Sequence, residues 1–206
     1  MRTVRVDPAR LERWLSGFAD RHGLTDVAAG ENLVQLTAED GATAIVHVPF
    51  PPLLDRTPAG LVAHVAQKRT VGALLIRRGG VAVGVFEGRR LVASKIETAY
   101  VQGRTKAGGW SQQRYARRRG NQARRLGETA AELMVTLVLP RADQLAAVAT
   151  GGDRASVDAV LDDPQLSTLR RLALDRVYPV ADPRQVVLEQ FPELFLAIEI
   201  VLNELA

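Results

Sequence analysis

Three apolar segments make up the stretch "VGALLIRRGGVAVGVFEGRRLVASKIET", residues 71–98. Each segment is rich in β-branched residues, and the pairs Gly79-Gly80 and Gly88-Arg89 separate them. Short β-branched runs joined by glycine-containing turns are typical of consecutive antiparallel strands. The stretch therefore predicts a three-stranded antiparallel meander in the middle of the chain.

The residues after the meander alternate between helix and strand patterns. A long helix is predicted from Ser111, because an apolar stripe at helical spacing follows it. The members of this stripe are Leu126, Ala130, Leu133, Met134, Leu137 and Val138. The segments "QLAAVAT" (144–150) and "DRVYPV" (175–180) have the composition of strands. Between them, Asp153 is a predicted N-cap of a helix that ends at Leu161, and Asp163-Pro164 opens a second short helix.

The last segment is predicted to be a helix that starts at Asp182-Pro183. Its core-facing residues would be Val187, Phe191, Leu194, Phe195, Ile198 and Leu202. Strands that are followed by alternating helices and strands predict an α/β fold, with a mixed sheet of about five strands flanked by helices.

The N-terminal residues predict a small α+β extension. Apolar residues recur at i, i+3, i+4 and i+7 in a helix that ends near Gly23, and these are Leu11, Trp14, Leu15 and Phe18. Two strands are expected around the turn Glu39-Asp40-Gly41. The proline-rich segment 49–58 cannot continue a central strand. We therefore predict an extension over residues 1–58 and a main domain over residues 59–206.

Composition restricts the class of protein. The 206 residues are 47% apolar, which is enough for a real core. No apolar run reaches the about 18 uncharged residues of a membrane span, and residues 1–19 lack the apolar centre of a secretion signal. We therefore expect a soluble, cytoplasmic, monomeric protein without membrane contact. The absence of cysteine excludes disulfides, thiolate nucleophiles and cysteine-based zinc sites.

The charge is concentrated in one segment. Residues 104–125 contain eight basic and no acidic side chains, which leaves 19 basic and 23 acidic residues, a net charge of −4, for the rest of the chain. A basic segment on a mildly acidic body favours the binding of a polyanion, most commonly through its phosphates. The alternative is a solvated arginine face on a helix, although such faces normally mix both signs.

The usual catalytic residues are poorly represented. The three histidines, His22, His47 and His64, have no ligand spacing, and Asp162-Asp163 is explained by a helix start. Glu97 lies at a predicted strand end without an acidic companion. No metal or cofactor is therefore expected, and a nuclease finds little support.

The basic segment has a specific chemistry of its own. Gly103, Gly108 and Gly109 let main-chain N–H groups approach a ligand closely. A glutamine just beyond them can donate and accept hydrogen bonds but has no useful pKa. Such a site can orient a water and stabilise an oxyanion. A labile ester at the end of an RNA would suit it.

These residues resemble a known family. The segment "GGWSQQRYARRR" (108–119) is similar to the Gly-Gly-Gln loop and the following Ser-x-x-Arg-x-x-Arg-x-Arg helix in the central domain of eukaryotic and archaeal class I peptide release factors. The resemblance extends over roughly residues 70–205, since the meander, the long helix, "AAVATGGD" and "DPQL" follow in the same order. The similarity is greater to the Vms-like release factors of ribosome-associated quality control and their bacterial relatives. It implies the RNase H-like fold of the central domain.

One position departs from the classical pattern. Trp110 stands where the classical release factors have their catalytic glutamine. Gln112 matches the displaced glutamine of the Vms-like proteins if one residue is inserted, and Gln113 is the other candidate. The paired glycines of the family match Gly108 and Gly109 in a basic GGxSQ loop over residues 102–113.

The resemblance implies a codon-independent peptidyl-tRNA hydrolase that rescues stalled ribosomes or large subunits. Its partners would be large-subunit rRNA and peptidyl-tRNA. The catalytic residues would be Gln112 or Gln113 with Gly108 and Gly109. The RNA-binding residues would be Trp110, Arg104, Lys106, Ser111, Arg114, Arg117, Arg118 and Arg119. Arg124 and Arg125 are interpreted as ordinary surface residues.

Two questions stay open at this point. The rival function is a non-catalytic rRNA- or tRNA-binding module that has lost hydrolysis, and binding alone does not separate the two. The N-terminal extension does not resemble a stop-codon-reading domain, which favours rescue over termination. It could cover the sheet or bind a ribosomal surface.

Overall fold

The chain forms two compact units. The computed structural model describes residues 1–23, 25–98 and 109–206, with the backbone alone over residues 109–119. The first unit consists of Met1–Lys68 together with Pro192–Ala206, and the second unit is Arg69–Phe191. The predicted division after residue 58 thus differs from the structure in two places. The helix after the proline-rich segment belongs to the first unit, and so do the last 15 residues.

Ten strands and seven α-helices are present in the described ranges. The strands are Arg2–Val6 (β1), Thr25–Ala29 (β2), Leu33–Ala38 (β3), Thr43–His47 (β4), Thr70–Arg77 (β5), Gly80–Glu87 (β6), Arg90–Thr98 (β7), Leu145–Gly152 (β8), Ala173–Tyr178 (β9) and Ile198–Leu202 (β10). The helices are Leu11–His22 (α1), Pro58–Ala66 (α2), Gly109–Leu133 (α3), Arg154–Leu161 (α4), Ser167–Arg171 (α5), Gln185–Gln190 (α6) and Pro192–Phe195 (α7).

The second unit is built on a mixed five-stranded sheet with the order β7-β6-β5-β8-β9. Strands β5, β6 and β7 pair antiparallel, and β8 and β9 continue the sheet in parallel on the other side of β5. The meander is confirmed, and so is the predicted mixed α/β fold with about five strands flanked by helices.

The core of the second unit lies between this sheet and the helices. Apolar residues of β5, β6 and β8 pack with α3, α4 and α5 in one cluster. Gly72 on β5 shows how tight this packing is, because a Cβ at Gly72 would lie 2.7 Å from Cγ1 of Val138. The sheet therefore packs closely against the helical residues that directly follow α3.

Helix α3 starts two residues earlier than predicted, at Gly109, and changes its winding after Leu133. A π-helical segment, Met134–Val138, and a 3-10 segment, Leu139–Gln144, complete it. Within the π segment, the hydroxyl of Thr136 donates to the backbone oxygen of Glu132 at 2.9 Å. β-Branched residues disfavour regular helix, which explains why "MVTLV" departs from it.

Side-chain caps define the next two helices as predicted. The carboxylate of Asp153 accepts from the backbone N–H of Ser156 at 2.8 Å, which caps α4. Asp163 accepts from the N–H of Gln165 at 2.9 Å and opens the 3-10 turn Pro164–Leu166, directly before α5. Each cap satisfies a backbone donor that the first helical turn leaves free.

The C-terminal segment differs from the single helix that the sequence predicts. Two short helices, α6 and α7, are followed by strand β10. Pro192 lacks a backbone N–H and therefore cannot continue α6. Residues 198–202 alternate between buried and half-buried positions, as a strand requires. The predicted C-terminal helix would have left "DRVYPV" as the last strand, whereas β10 follows β9 in the structure.

The first unit is an antiparallel sheet with the order β1-β10-β4-β3-β2. The predicted hairpin around Asp40 is confirmed as β3 and β4, and the amphipathic helix as α1, which ends before Gly23. Leu11 and Phe18 of α1 are buried against the sheet. Strands β1 and β2 were not predicted. Strand β1 is a short polar-rich segment whose partner, β10, lies at the other end of the chain, and β2 is a short, mostly exposed segment beside β3 without the alternation of buried and exposed residues that marks a strand.

Candidate functional site

The predicted catalytic segment joins the end of β7 to the start of α3. Strand β7 ends at Thr98 and α3 begins at Gly109. Three of the predicted site residues, Arg104, Lys106 and Gly108, lie outside the described residues. The structure therefore describes the two elements that carry the segment, both within the second unit.

The other predicted site residues share one element. All of them occupy the first eleven positions of α3, and they are Gly109, Trp110, Ser111, Gln112, Gln113, Arg114, Arg117, Arg118 and Arg119. Their side chains lie outside the described part of the chain. The predicted loop over residues 102–113 is corrected in one respect, since residues 109–113 are helical.

Next to this segment, a groove runs between β7 and α3. We call it the β7–α3 groove, and it has a volume of about 500 Å³. Its walls are formed by Glu97 and Thr98 from β7 and by Asn121, Gln122, Arg125, Leu126 and Thr129 from α3. Of these residues, the sequence analysis had named Glu97, Arg125 and, as part of the apolar stripe, Leu126.

The spacing of the helical residues explains why they line one groove. Asn121, Arg125 and Thr129 follow one another at intervals of four, and Gln122 and Leu126 do the same. Residues four apart lie on the same side of an α-helix. The interval could have been found in the sequence, but polar residues at that spacing are also typical of an ordinary solvated face.

Strand register places Glu97 on the side of the sheet that α3 covers. Glu97 lies directly opposite Val81 of β6. Residues that face each other across an antiparallel pair share one side of the sheet. Val81 is buried in the cluster that includes Ala130 and Met134. The carboxylate is thus presented at the edge strand, beside the middle of α3.

Adjacent arginines of α3 have different surroundings. The guanidinium of Arg124 lies 3.9 Å from the carboxylate of Glu128, one turn further along the helix. Arg125 lines the groove instead. From the sequence, Arg124 and Arg125 were both interpreted as surface residues, and both are exposed. Of these two arginines, Arg125 is the one in position to bind an anion within the groove.

The groove combines four kinds of polar group around an apolar patch. Leu126 is half-buried and packs against the core, while the amides of Asn121 and Gln122 offer donors and acceptors. Two threonine hydroxyls, one carboxylate and one guanidinium complete it. Such a set can bind and orient a polar molecule with one anionic group.

Two of the three histidines, His22 and His64, have structural partners in the first unit, and His47 is exposed on β4. His22 and Asp40 share a hydrogen bond of 2.8 Å, and the ring of His64 donates to the backbone oxygen of Pro49 at 2.8 Å. The N–H of Ala42 and the His22 ring together lower the pKa of Asp40.

Among the described side chains, no group of three or more His, Cys, Asp or Glu could hold a metal ion. No helix in the described part of the chain has the length and apolar character that a membrane crossing requires.

The chain resembles solved structures at low sequence identity. One is the archaeal translation termination factor aRF1, with a TM-score of 0.42 and 15% identity, covering 94% of this chain and 65% of aRF1. Another is an archaeal protein, with a TM-score of 0.39 and 17% identity, covering 91% of this chain and 62% of that protein. The chain therefore spans less than two thirds of the length of either. No curated protein sequence matches it.

A family model gives the stronger result. The model of the actinobacterial and chloroflexi VLRF1 release factors matches residues 69–201, which is well over half of the chain. The match includes the whole of the second unit, Arg69–Phe191, with the groove and both elements that carry the basic segment. The chain thus belongs to the VLRF1 release factor family of actinobacteria and chloroflexi.

Proposed function

We propose that the protein is a peptidyl-tRNA hydrolase that frees nascent peptides from stalled ribosomes or large ribosomal subunits. One observation carries this proposal: a release factor family matches the second unit, which contains β7, the paired glycines that follow it and the two candidate glutamines near the start of α3. Release factors act on ribosomes, so the protein would work in the cytoplasm.

The proposed reaction is hydrolysis of one ester. A water attacks the carbonyl carbon that joins the peptide to the 3′ oxygen of the terminal adenosine of the tRNA. The bond from this carbon to the 3′ oxygen breaks, and the proton of the water passes through RNA hydroxyls to that oxygen. The products are a free peptide and a deacylated tRNA, and no cofactor or metal is required.

Gln112 is the proposed residue that orients the water. Its amide has no pKa that would make it a base, so its contribution is hydrogen bonding to the water and to the developing oxyanion. Removal of one such donor typically costs about 100-fold to 1000-fold in rate. Gly108 and Gly109 would allow the backbone to approach the ester, and Gln113 is the alternative glutamine.

The arginines of α3 are proposed to bind RNA phosphates. Four of them, Arg114, Arg117, Arg118 and Arg119, lie in the first three turns of the helix, near the proposed catalytic glutamine. Arg104, Lys106 and Ser111 would add contacts, and Trp110 would stack on a base or ribose. Phosphate contacts fix the position of the RNA without reading its sequence. This matches a factor that acts on any codon.

The similarity to Vms-like factors supports rescue of stalled ribosomes over normal termination. A factor of this kind releases the peptide from tRNA without reading a stop codon. The target would be peptidyl-tRNA that is held on the ribosome or its large subunit.

The test is release of labelled peptide from stalled ribosome–nascent-chain complexes. We would compare the wild type with Gln112→Ala, Gln113→Ala and Gly109→Ala. The expected result is free peptide with intact deacylated tRNA for the wild type and Gln113→Ala. Gln112→Ala should bind ribosomes normally but release at least about 100-fold more slowly. A wild type that binds ribosomes and releases nothing would leave only the second candidate function.

That second candidate is an RNA-binding module without hydrolysis. The observation that favours it is Trp110, which occupies the position of the classical catalytic glutamine. It predicts that all four proteins bind ribosomes equally and that none of them changes the rate of peptide release.

A further inference from the structure

We propose that the β7–α3 groove is a separate binding site for one unpaired RNA nucleotide, with guanine as the preferred base. The choice of RNA as the ligand rests on the proposed function, whereas the site itself rests on residues that lie outside the predicted catalytic set. The groove residues belong to the end of β7 and the middle of α3.

The groove is distant from the proposed catalytic glutamine. Asn121 follows Gln112 by nine residues on the same helix. At 1.5 Å per residue, this corresponds to about 14 Å along the helix axis. One nucleotide could not reach both places. The groove would therefore hold a different part of the RNA from the part that reacts.

The cationic side of the groove suits a phosphate. Arg125 presents a planar guanidinium that can donate two parallel hydrogen bonds to phosphate oxygens. Lys95 lies on the same side of β7 as Glu97, since it precedes Glu97 by two residues and is opposite the buried Val83. Lys95 is exposed and can bind the next phosphate of the strand.

Glu97 determines which base would bind. A carboxylate only accepts hydrogen bonds, through two oxygens. An unpaired guanine presents two neighbouring donors on its Watson–Crick edge, N1–H and N2–H, which the two oxygens can accept together. Adenine and cytosine offer one amino group beside an acceptor, and uracil offers one N–H between two oxygens. Proteins read unpaired RNA bases through this edge.

The size and the floor of the groove also fit a nucleotide. A volume of about 500 Å³ is within the usual range of small-molecule sites. Half-buried Leu126 supplies apolar surface for a base or ribose, and the hydroxyls of Thr98 and Thr129 can bind the ribose hydroxyls. An acidic peptide would match Arg125 equally well, but Glu97 would repel it.

The test measures binding of short RNAs to the whole protein. Fluorescent pentanucleotides UUGUU, UUAUU, UUCUU and UUUUU serve as probes, and fluorescence anisotropy measures their affinity. We expect UUGUU to bind roughly tenfold more tightly than the others, as one bidentate base contact provides. In Glu97→Gln this preference should disappear, while UUUUU still binds. Equal binding of all four RNAs, or a guanine preference that survives in Glu97→Gln, would overturn the proposal.

The neighbouring arginines provide a matched pair of variants. Arg125→Ala should weaken all four RNAs and reduce the slope of log affinity against log salt by about 0.7, the value for one phosphate on a single strand. Arg124→Ala, which removes the partner of Glu128, should keep the guanine preference. If Arg124→Ala and Arg125→Ala lost equal affinity for RNA, the attraction would be a diffuse one to the whole helix, which would contradict a site in the groove.

Nuclear magnetic resonance gives the location independently of affinity. The side-chain amide signals of Asn121 and Gln122 should shift when UUGUU is added. Unchanged signals, or larger shifts with a Glu-rich peptide than with UUGUU, would overturn the proposal. This test of the groove can fail independently of the test of the proposed function. Gln112→Ala should lose peptide release, but the amide signals of Asn121 and Gln122 should still shift when UUGUU is added to it.

Discussion

Gly152 at the end of β8 approaches Ile76 of β5 so closely that a Cβ would lie 2.0 Å from the Ile76 backbone oxygen. The two residues are partners in the parallel pairing of these strands. The same oxygen accepts from the N–H of Asp153 at 2.9 Å, directly before α4. The φ of Gly152 is +110°, a value that favours glycine. This contact fixes the point at which the central strand pair ends and α4 begins.

Gly152→Ala is therefore expected to destabilise the second unit strongly. The new Cβ would clash with backbone atoms that cannot rotate away, and the positive φ adds strain of about 1–3 kcal/mol. We expect a total loss of several kcal/mol in the free energy of unfolding. Urea denaturation, followed by circular dichroism, would measure it. A loss below about 1 kcal/mol would contradict the close approach.

Gly127 of α3 should behave in the opposite way. A Cβ at Gly127 would meet no atom within 4 Å. Glycine in a helix interior is less favourable than alanine by about 0.8–1.0 kcal/mol. Gly127→Ala should thus raise the free energy of unfolding by up to about 1 kcal/mol in the same denaturation experiment. It also serves as the control for Gly152→Ala, since both changes add one methyl group to a glycine. A destabilised Gly127→Ala would mean that this face of α3 is occupied.

Asp153 is expected to stabilise the second unit in a pH-dependent way. Hydrogen bonds from the hydroxyl and N–H of Ser156 lower the pKa of Asp153, and the charges of Arg78 and Arg77 add to this. A lowered pKa means that folding favours the ionised form. The stabilisation is therefore complete above the unfolded pKa, about 3.9, and is lost as the pH falls through the lower folded pKa.

Two substitutions separate the cap from the charge. Asp153→Ala should lower the free energy of unfolding by about 1 kcal/mol at pH 7, because it removes the N-cap of α4. Asp153→Asn keeps a hydrogen-bond acceptor at this position and should lower the free energy of unfolding by less. The difference between wild type and Asp153→Asn should shrink as the pH falls below about 4. Thermal unfolding at a series of pH values would measure this, and a difference that does not depend on pH would refute the role of the charge.

The sequence predicted the second unit well because its signals are local. The glycine turns at Gly79 and Gly88 and the cap at Asp153 act within a few residues of the elements that they define. The groove was not predicted for the opposite reason. Asn121 and Thr129 are ordinary polar residues of a helix until the fold places them beside Thr98. The basic segment could be identified from the sequence, whereas the polar residues of the β7–α3 groove could be recognised as a group only from the fold.

The C-terminal segment shows where local patterns fail. Ile198 and Leu202 are four residues apart, as in a helix, but Ile200 between them gives the alternation of a strand. Both patterns fit the same five residues. Residues 198–202 form a strand because they pair with β1 on one side and β4 on the other, and both of these strands lie far away in sequence. No signal within residues 198–202 records the presence of these partners.

Ile200→Ala tests the strand directly. Ile200 is fully buried, opposite Val4 of β1 and Val46 of β4. Loss of a buried isoleucine side chain costs about 2–5 kcal/mol. We expect this loss in the first unit, together with faster hydrogen exchange at the backbone amides of β1 and β4.

Val201→Ala is the matched control. Val201 is next in the strand, half-buried on the opposite side of the sheet. Val201→Ala should lower the free energy of unfolding by about 1 kcal/mol or less, and it should leave the hydrogen-exchange rates in β1 and β4 nearly unchanged. If residues 198–202 were helical, neither substitution would change exchange in these two strands selectively. Selective loss of protection in Ile200→Ala alone would thus show that the C-terminal residues complete the N-terminal sheet.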